Sequence, residues 1–171
     1  MSRKKSFKFL FLVIFGIQTV HAQRCKNNVL KTTPDGSFTI HDNGTVTHNS
    51  TGLMWMRCLL GQTWDGINCN GSATFYDWSS ALQAAYDYFF AEYNDWRLPN
   101  KNELASIVEM ACVSPSINSM VFPNDPSQFV WSSSPYFNGQ NSSWYVEFGH
   151  GNVEGQHHNF SAKARLVRGG K

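Results

Sequence analysis

Asn94-Asp95-Trp96-Arg97-Leu98-Pro99-Asn100-Lys101-Asn102-Glu103-Leu104 spells out a helix start. Pro99 holds the chain extended just before the helix. Asn100 is a good N-cap, and Glu103 three residues on completes a capping-box pattern. Leu104, Ile107, Val108 and Ala111 then recur at helical spacing and predict an apolar stripe facing a core. Upstream, Trp78, Ala81, Leu82, Ala85 and Phe89 fall on one helical face, with Ser79, Ser80, Gln83 and Asp87 on the other. This predicts a first helix over 78–91, capped by Thr74 or Asp77.

The segments outside this helical centre read as strands. Over 37–57, Phe38 and Ile40 alternate with polar residues, and Asp42-Asn43-Gly44 is a hairpin turn leading into Thr45-Val46-Thr47. Asn49-Ser50-Thr51-Gly52 makes a second turn into Leu53-Met54-Trp55-Met56. Residues 114–128 are rich in Pro, Asn and Ser and predict a long ordered loop. Phe129-Val130-Trp131-Ser132 reads as a strand. Trp144, Val146 and Phe148 alternate with Tyr145 and Glu147 as in a half-buried strand, Gly149-His150-Gly151-Asn152 turns the chain back, and a last strand covers about 164–167. Strands, two helices, a long loop and strands again predict an α+β fold with an antiparallel sheet.

The chain has 171 residues, 42% of them hydrophobic, 15% aromatic and 15% charged. The aromatic content supports a packed core and excludes a disordered chain. Met1 to Lys8 is basic, residues 9–20 are almost wholly apolar, and Val20-His21-Ala22 places small residues where a signal peptidase reads. The apolar run is shorter than the roughly 20 residues that span a bilayer. The expectation is a leader over 1–22, export to the periplasm, cell surface or medium, and no membrane span once the leader is removed. Arg24 directly before Cys25 does not fit a lipoprotein signal. After Ala22 the chain carries ten basic and twelve acidic residues, a net charge of −2, which disfavours a nucleic-acid partner.

All four cysteines, Cys25, Cys58, Cys69 and Cys112, follow the leader. An even number in an oxidising compartment predicts two disulfides. Of the three pairings, Cys58–Cys69 is preferred because it closes a small polar loop, and Cys25–Cys112 remains by elimination. No C-x-x-C pair supports zinc.

Four segments in order resemble one known family. They are Thr51-Gly52-Leu53-Met54-Trp55-Met56-Arg57-Cys58, the Asn94–Leu104 stretch, Val130-Trp131-Ser132-Ser133-Ser134, and Arg165-Leu166-Val167-Arg168-Gly169-Gly170. In this spacing the chain resembles the Lcl C-terminal domain family, named for the C-terminal domain of a bacterial collagen-like adhesin. The resemblance spans 45–170, with 23–44 left as an N-terminal extension and first strand. The Trp-Arg-Leu-Pro…Glu-Leu segment is also similar to pieces of the C-type-lectin-like fold and the formylglycine-generating enzymes. The resemblance implies an exported bacterial module of C-type-lectin-like fold, with two helices beside antiparallel strands. The adhesin of the family name binds sulfated polysaccharide; this chain has no collagen-like Gly-X-Y region.

The loop over 135–142 and its flank are the candidate ligand-binding surface. Tyr136, Phe137, Asn138, Gln140, Asn141 and Trp144 combine flat apolar faces with amide hydrogen-bonding groups, which suits sugar rings. Arg97 reads first as a structural cation paired with Asp95, Glu103 or a carbonyl, with a ligand-binding cation as the alternative; Lys163, Arg165, Arg168 and Lys171 read first as a solvated or structural face, with an anion site as the alternative. No metal ligands are expected. Neighbouring His157 and His158 point to opposite sides of an extended chain, and His150 stands apart. No cofactor is expected either. Calcium is the one ion with loop donors, at Asn124 and Asp125, but the Glu-Pro-Asn and Trp-Asn-Asp patterns of calcium lectins are missing. No G-x-S-x-G, H-E-x-x-H or phosphate loop marks an enzyme, and no cysteine follows Cys112, where the formylglycine-generating group has its reactive thiols. The five Asn-x-Ser/Thr sequons (Asn43, Asn49, Asn70, Asn141, Asn159) read as chance in an Asn- and Ser-rich chain. The expectation is a non-catalytic binding module, adhesin-like, for a glycan or a surface protein. The alternatives are an enzyme related to the formylglycine-generating oxidases and a structural cell-envelope subunit. The sequence does not reach the oligomeric state.

Overall fold

The computed structural model describes residues 22–137 and 141–169. Residues 1–21 of the expected leader, and Asn138, Gln140 and Lys171 among the candidate residues, lie outside the described residues. In chain order the elements are β1 (Arg24–Cys25), a 3-10 turn (Asp35–Ser37), β2 (Phe38–Ile40), β3 (Thr45–His48), β4 (Leu53–Met56), β5 (Thr63–Trp64), β6 (Cys69–Asn70), α1 (Trp78–Ala85), α2 (Lys101–Ala105), β7 (Cys112–Val113), β8 (Phe129–Pro135), β9 (Ser142–Glu147), β10 (Asn152–His157) and β11 (Val167–Gly169). The fold is α+β: antiparallel strands, two helices and two disulfides.

Two antiparallel sheets carry the framework, one ordered β11-β4-β3-β2 and the other β10-β9-β8. The backbone of 162–166 stitches them together. On one side Met56 N–H donates to the Leu166 carbonyl and Leu60 N–H to that of Ala164; on the other, Trp131 N–H donates to the Lys163 carbonyl. Every residue from Ala162 to Val167 is buried. Along this seam and its neighbours, successive side chains enter opposite cores, as the period of two in a strand requires. Trp55, Leu59, Val130, Val146 and Val167 join one cluster. Met56, Leu60, Trp131, Tyr145 and Leu166, their immediate neighbours, join the other. Leu104 of α2 packs into the first cluster, and Ala81 and Ala85 of α1 into the second.

This two-sided burial corrects one expectation. β9 is not half-buried, because Tyr145 and Val146 are both covered. The first helix is capped by Asp77, whose side chain accepts from Ser80 N–H, but it ends at Ala85 rather than at residue 91. Asp87, Ala91 and Glu92 take positive φ, so the chain turns where the periodicity predicted more helix, and Phe89 is 71% exposed. The second helix carries the full capping box at Asn100 and Glu103 and stops at Ala105. Ile107, Val108 and Ala111 are nevertheless buried, so the stripe marks core although its second half is not helical. Ile40 is exposed at the sheet edge, and β10 is a strand that the alternation did not reveal. The turn at Gly44, where φ is +82°, closes the β2–β3 hairpin, as Asp42-Asn43-Gly44 predicted.

The disulfides are Cys25–Cys112 and Cys58–Cys69. The first ties β1 to β7. The buried Glu109 carboxylate reinforces this attachment by accepting from the N–H groups of Thr32 (3.0 Å), Thr33 (2.8 Å) and Ala111 (2.9 Å). The second disulfide closes a loop folded into the short β5–β6 hairpin. Among the described residues no helix is long and apolar enough to cross a membrane.

Candidate functional site

Tyr136 leaves the end of β8 and lies across Gly155 of β10, which pairs with Trp144 of β9. A Cβ on Gly155 would sit 2.0 Å from the Tyr136 ring, so only glycine admits this approach. The Tyr136 and Trp144 rings meet edge to face, 4.6 Å apart at 72°. The Lys101 ammonium, from the first turn of α2, stands 4.6 Å from the centre of the Trp144 ring. The sequence-predicted Tyr136 and Trp144 thus form one half-buried aromatic wall. It has gained a cation that no local pattern announced, because Lys101 arrives from a different part of the chain. Phe137 is 98% exposed. Asn141 lies beyond the wall, at the end of β9. There it lines a cleft of about 460 Å³ with His157, His158 and Asn159. His158 stacks on Trp78 with ring centres 4.2 Å apart, while His157 is exposed, in keeping with their predicted divergence.

Arg97, Arg165 and Arg168 are structural, each in its own way. Arg97 makes a bidentate pair with Glu103, both contacts 2.8 Å, which ties the strand-like approach to the helix start. Arg168 pairs with Asp95. Arg165 is 1% exposed. It pairs with Asp125 at 2.8 Å and donates to the carbonyls of Met56 and Arg57. Asp125, considered for calcium, is therefore committed to a guanidinium and to Ser127 N–H. Among the described residues no three His, Cys, Asp or Glu side chains converge as a metal site would. His150 contacts Glu147 at 3.1 Å, and Ser143 contacts His158 at 3.0 Å. Ser143 is fully buried beneath this contact.

A second concavity was not foreseen. It encloses about 590 Å³ beside the Cys58–Cys69 loop, and its walls include Asn70, Phe75, Asn124, Gln128 and Lys163. Asn124 Nδ2 donates to the Cys69 carbonyl (3.1 Å), and Gln62 accepts from Leu59 N–H (3.0 Å), so the disulfide loop sets the rim. The lining comes from three distant stretches of chain. The sequence reads Lys163 as part of a solvated or structural face or an anion site, Asn124 as a loop donor and Asn70 as a chance sequon, and no local pattern brings them together.

No curated protein matches the chain. A family model does, over residues 44–168: that of the Lcl C-terminal domain. The match takes in the three-stranded sheet, the four-stranded sheet except β2 and the last residue of β11, both helices, the aromatic wall and the second concavity, and the chain belongs to the Lcl C-terminal domain family.

Proposed function

We propose that the protein is an exported, non-catalytic binding module, working in the periplasm or at the cell surface, that engages a glycan through the wall formed by Tyr136, Trp144 and Lys101. The observation that carries this reading is the packing of that wall: two aromatic rings held edge to face with centres 4.6 Å apart, the Lys101 ammonium over the Trp144 ring, and a polar cleft lined by Asn141 beyond it. Flat, rigid aromatic surface flanked by amides stacks on sugar rings with little loss of side-chain freedom. The leader-like N-terminus and the paired cysteines support export, since disulfides persist in oxidising compartments. The lectin-like relationship drawn from the Trp96–Leu104 segment supports the same role. A calcium ion is not part of the proposal, because Asp125 is held by Arg165.

A glycan array and a pull-down on envelope extracts test the reading, each run with the protein and with Trp144→Ala. Binding to a glycan that falls at least about tenfold in Trp144→Ala, with the circular dichroism unchanged, is the expected result. Capture of a surface protein by the same face would move the reading to protein recognition. Turnover of a substrate would replace it with the oxidase or hydrolase alternative. A stable assembly that ignores the Trp144 change would point to an envelope subunit.

A further inference from the structure

The concavity beside the Cys58–Cys69 loop holds two polar groups that the protein leaves incompletely served. The first is Lys163. Its side chain is almost fully buried, it donates to the Ala73 carbonyl, and its Nζ lies 3.2 Å from the centre of the Phe75 ring. Among the described residues no carboxylate lies within ion-pairing distance of it, whereas the neighbouring buried cation on the same seam, Arg165, has Asp125. Buried charges are ordinarily paired. Burial also pushes the Lys163 pKa down, as expected for an ammonium with too little compensation. The second is Gln128, whose side-chain oxygen is buried without a hydrogen-bond partner. Both residues line the same cavity.

The rest of the wall defines what would satisfy them. Among the described residues Lys163 is the only ionisable side chain lining the cavity, so the complementary charge is a single anion rather than a polyanion. Sulfate and chloride have no proton to give, and the Gln128 oxygen needs a donor; a ligand with hydroxyl or N–H groups beside its charge serves both groups once the Gln128 amide turns its covered oxygen toward the cavity. Asn70 and Asn124 add amides, and Phe75, 53% exposed, offers a flat apolar face on one side. The volume suits one or two sugar rings. We infer that this pocket binds a sugar acid, with the carboxylate against Lys163, a hydroxyl donating to Gln128 and the ring lying on Phe75. The site is separate from the Tyr136–Trp144 wall and does not depend on it.

Isothermal titration of the purified protein with glucuronate, galacturonate and N-acetylneuraminate, each beside glucose, galactose and inorganic sulfate, tests the inference. At least one acid should bind about tenfold more tightly than the neutral sugars, and sulfate should not compete at equal concentration. Lys163→Met, which keeps the buried stem, should erase the preference for the acid. Phe75→Ala removes an exposed ring that supports little of the core, and it should weaken the acid several-fold in a protein that still folds. Trp144→Ala should leave acid binding unchanged. The inference is overturned if no acid binds, if acids and neutral sugars bind alike, if sulfate alone binds, or if Phe75→Ala binds as the wild type does. Should Lys163→Met fail to fold, the Phe75→Ala result and the acid-to-neutral ratio decide.

Discussion

Arg165 and Arg168 stand three residues apart, each with an aspartate, and they live in different physical worlds. At the seam, the Arg165 and Asp125 side chains are each 1% exposed, under the Phe122 ring, with two backbone carbonyls also accepting from the guanidinium, whose Nε is left without a partner. At the rim, Asp95 is 54% exposed and Arg168 lies over Tyr93 at the protein's edge. The attraction between the charges is similar in kind. What differs is the water each pair has given up. Desolvation makes the seam pair hard to break from one side, and solvent makes the rim pair cheap to lose. A count of four basic residues near the C-terminus conceals this contrast, which only the two-sided burial of the seam creates.

The sharpest way to break the contrast is Asp125→Ala. It strands the Arg165 guanidinium, whose pKa burial already pulls down, and should destabilise the protein by about 3–5 kcal/mol in urea unfolding. Replacing both partners by apolar side chains, Asp125→Leu with Arg165→Met, should restore much of that loss, because no uncompensated charge remains. A double variant as unstable as Asp125→Ala alone would mean the pair is needed for its attraction and not merely for its balance.

Glu109 extends the comparison to a buried charge that pairs with no cation among the described residues. Burial tends to raise its pKa, but the N–H groups of Ala111, Thr33 and Thr32 and the Thr33 hydroxyl outweigh it, and the net shift is downward. A carboxyl whose pKa is depressed by folding adds stability that is present above its unfolded value and lost as pH falls through its folded value. The N-terminal arm, held by this carboxylate and by Cys25–Cys112, should therefore loosen below the ordinary carboxylate range, read as faster amide exchange at Thr32 and Thr33. Glu109→Gln turns one acceptor into a donor facing N–H groups, and should cost about 2 kcal/mol at neutral pH.

Much of the fold was legible because local chemistry carried it. The capping box at Asn100 and Glu103, the Asp42-Asn43-Gly44 turn and the Cys58–Cys69 loop each need only a few adjacent residues, and each is present. The misreadings share one cause. Helical periodicity cannot see that Asp87 turns the chain with positive φ, and alternation cannot tell a strand with one buried face from one packed between two cores, as β9 is. The site divides the same way. Tyr136 and Trp144 were readable as aromatics in a polar loop, while Lys101, and the Lys163–Gln128 pocket gathered from three stretches of chain, exist only after the fold has closed.

Local legibility can itself be measured. Asn100 accepts from Glu103 N–H at 2.9 Å while the Glu103 carboxylate accepts from Asn100 N–H at 2.7 Å, and Glu103 also holds Arg97. Asn100→Ala should cost about 1 kcal/mol, as helix caps do. Because α2 carries Lys101 onto Trp144, the same change should weaken glycan binding at the wall without touching the Lys163 pocket.

The smallest effect belongs to the rim. Arg168 holds the Asp95 carboxyl below its usual range through their hydrogen bond, so any stabilisation exists above the unfolded pKa and fades as pH drops through the folded one. With more than half of Asp95 in water, that stabilisation is screened, and Asp95→Asn should cost less than about 1 kcal/mol. Raising the salt to about 1 M should abolish the difference between Asp95→Asn and wild type, since the screening length shrinks to roughly 3 Å. The gap between Asp125→Ala and wild type should hardly move, because no ion reaches the seam. If both gaps close with salt, the seam is wet and the distinction between the two arginines fails; if neither closes, Asp95 is held by something other than charge.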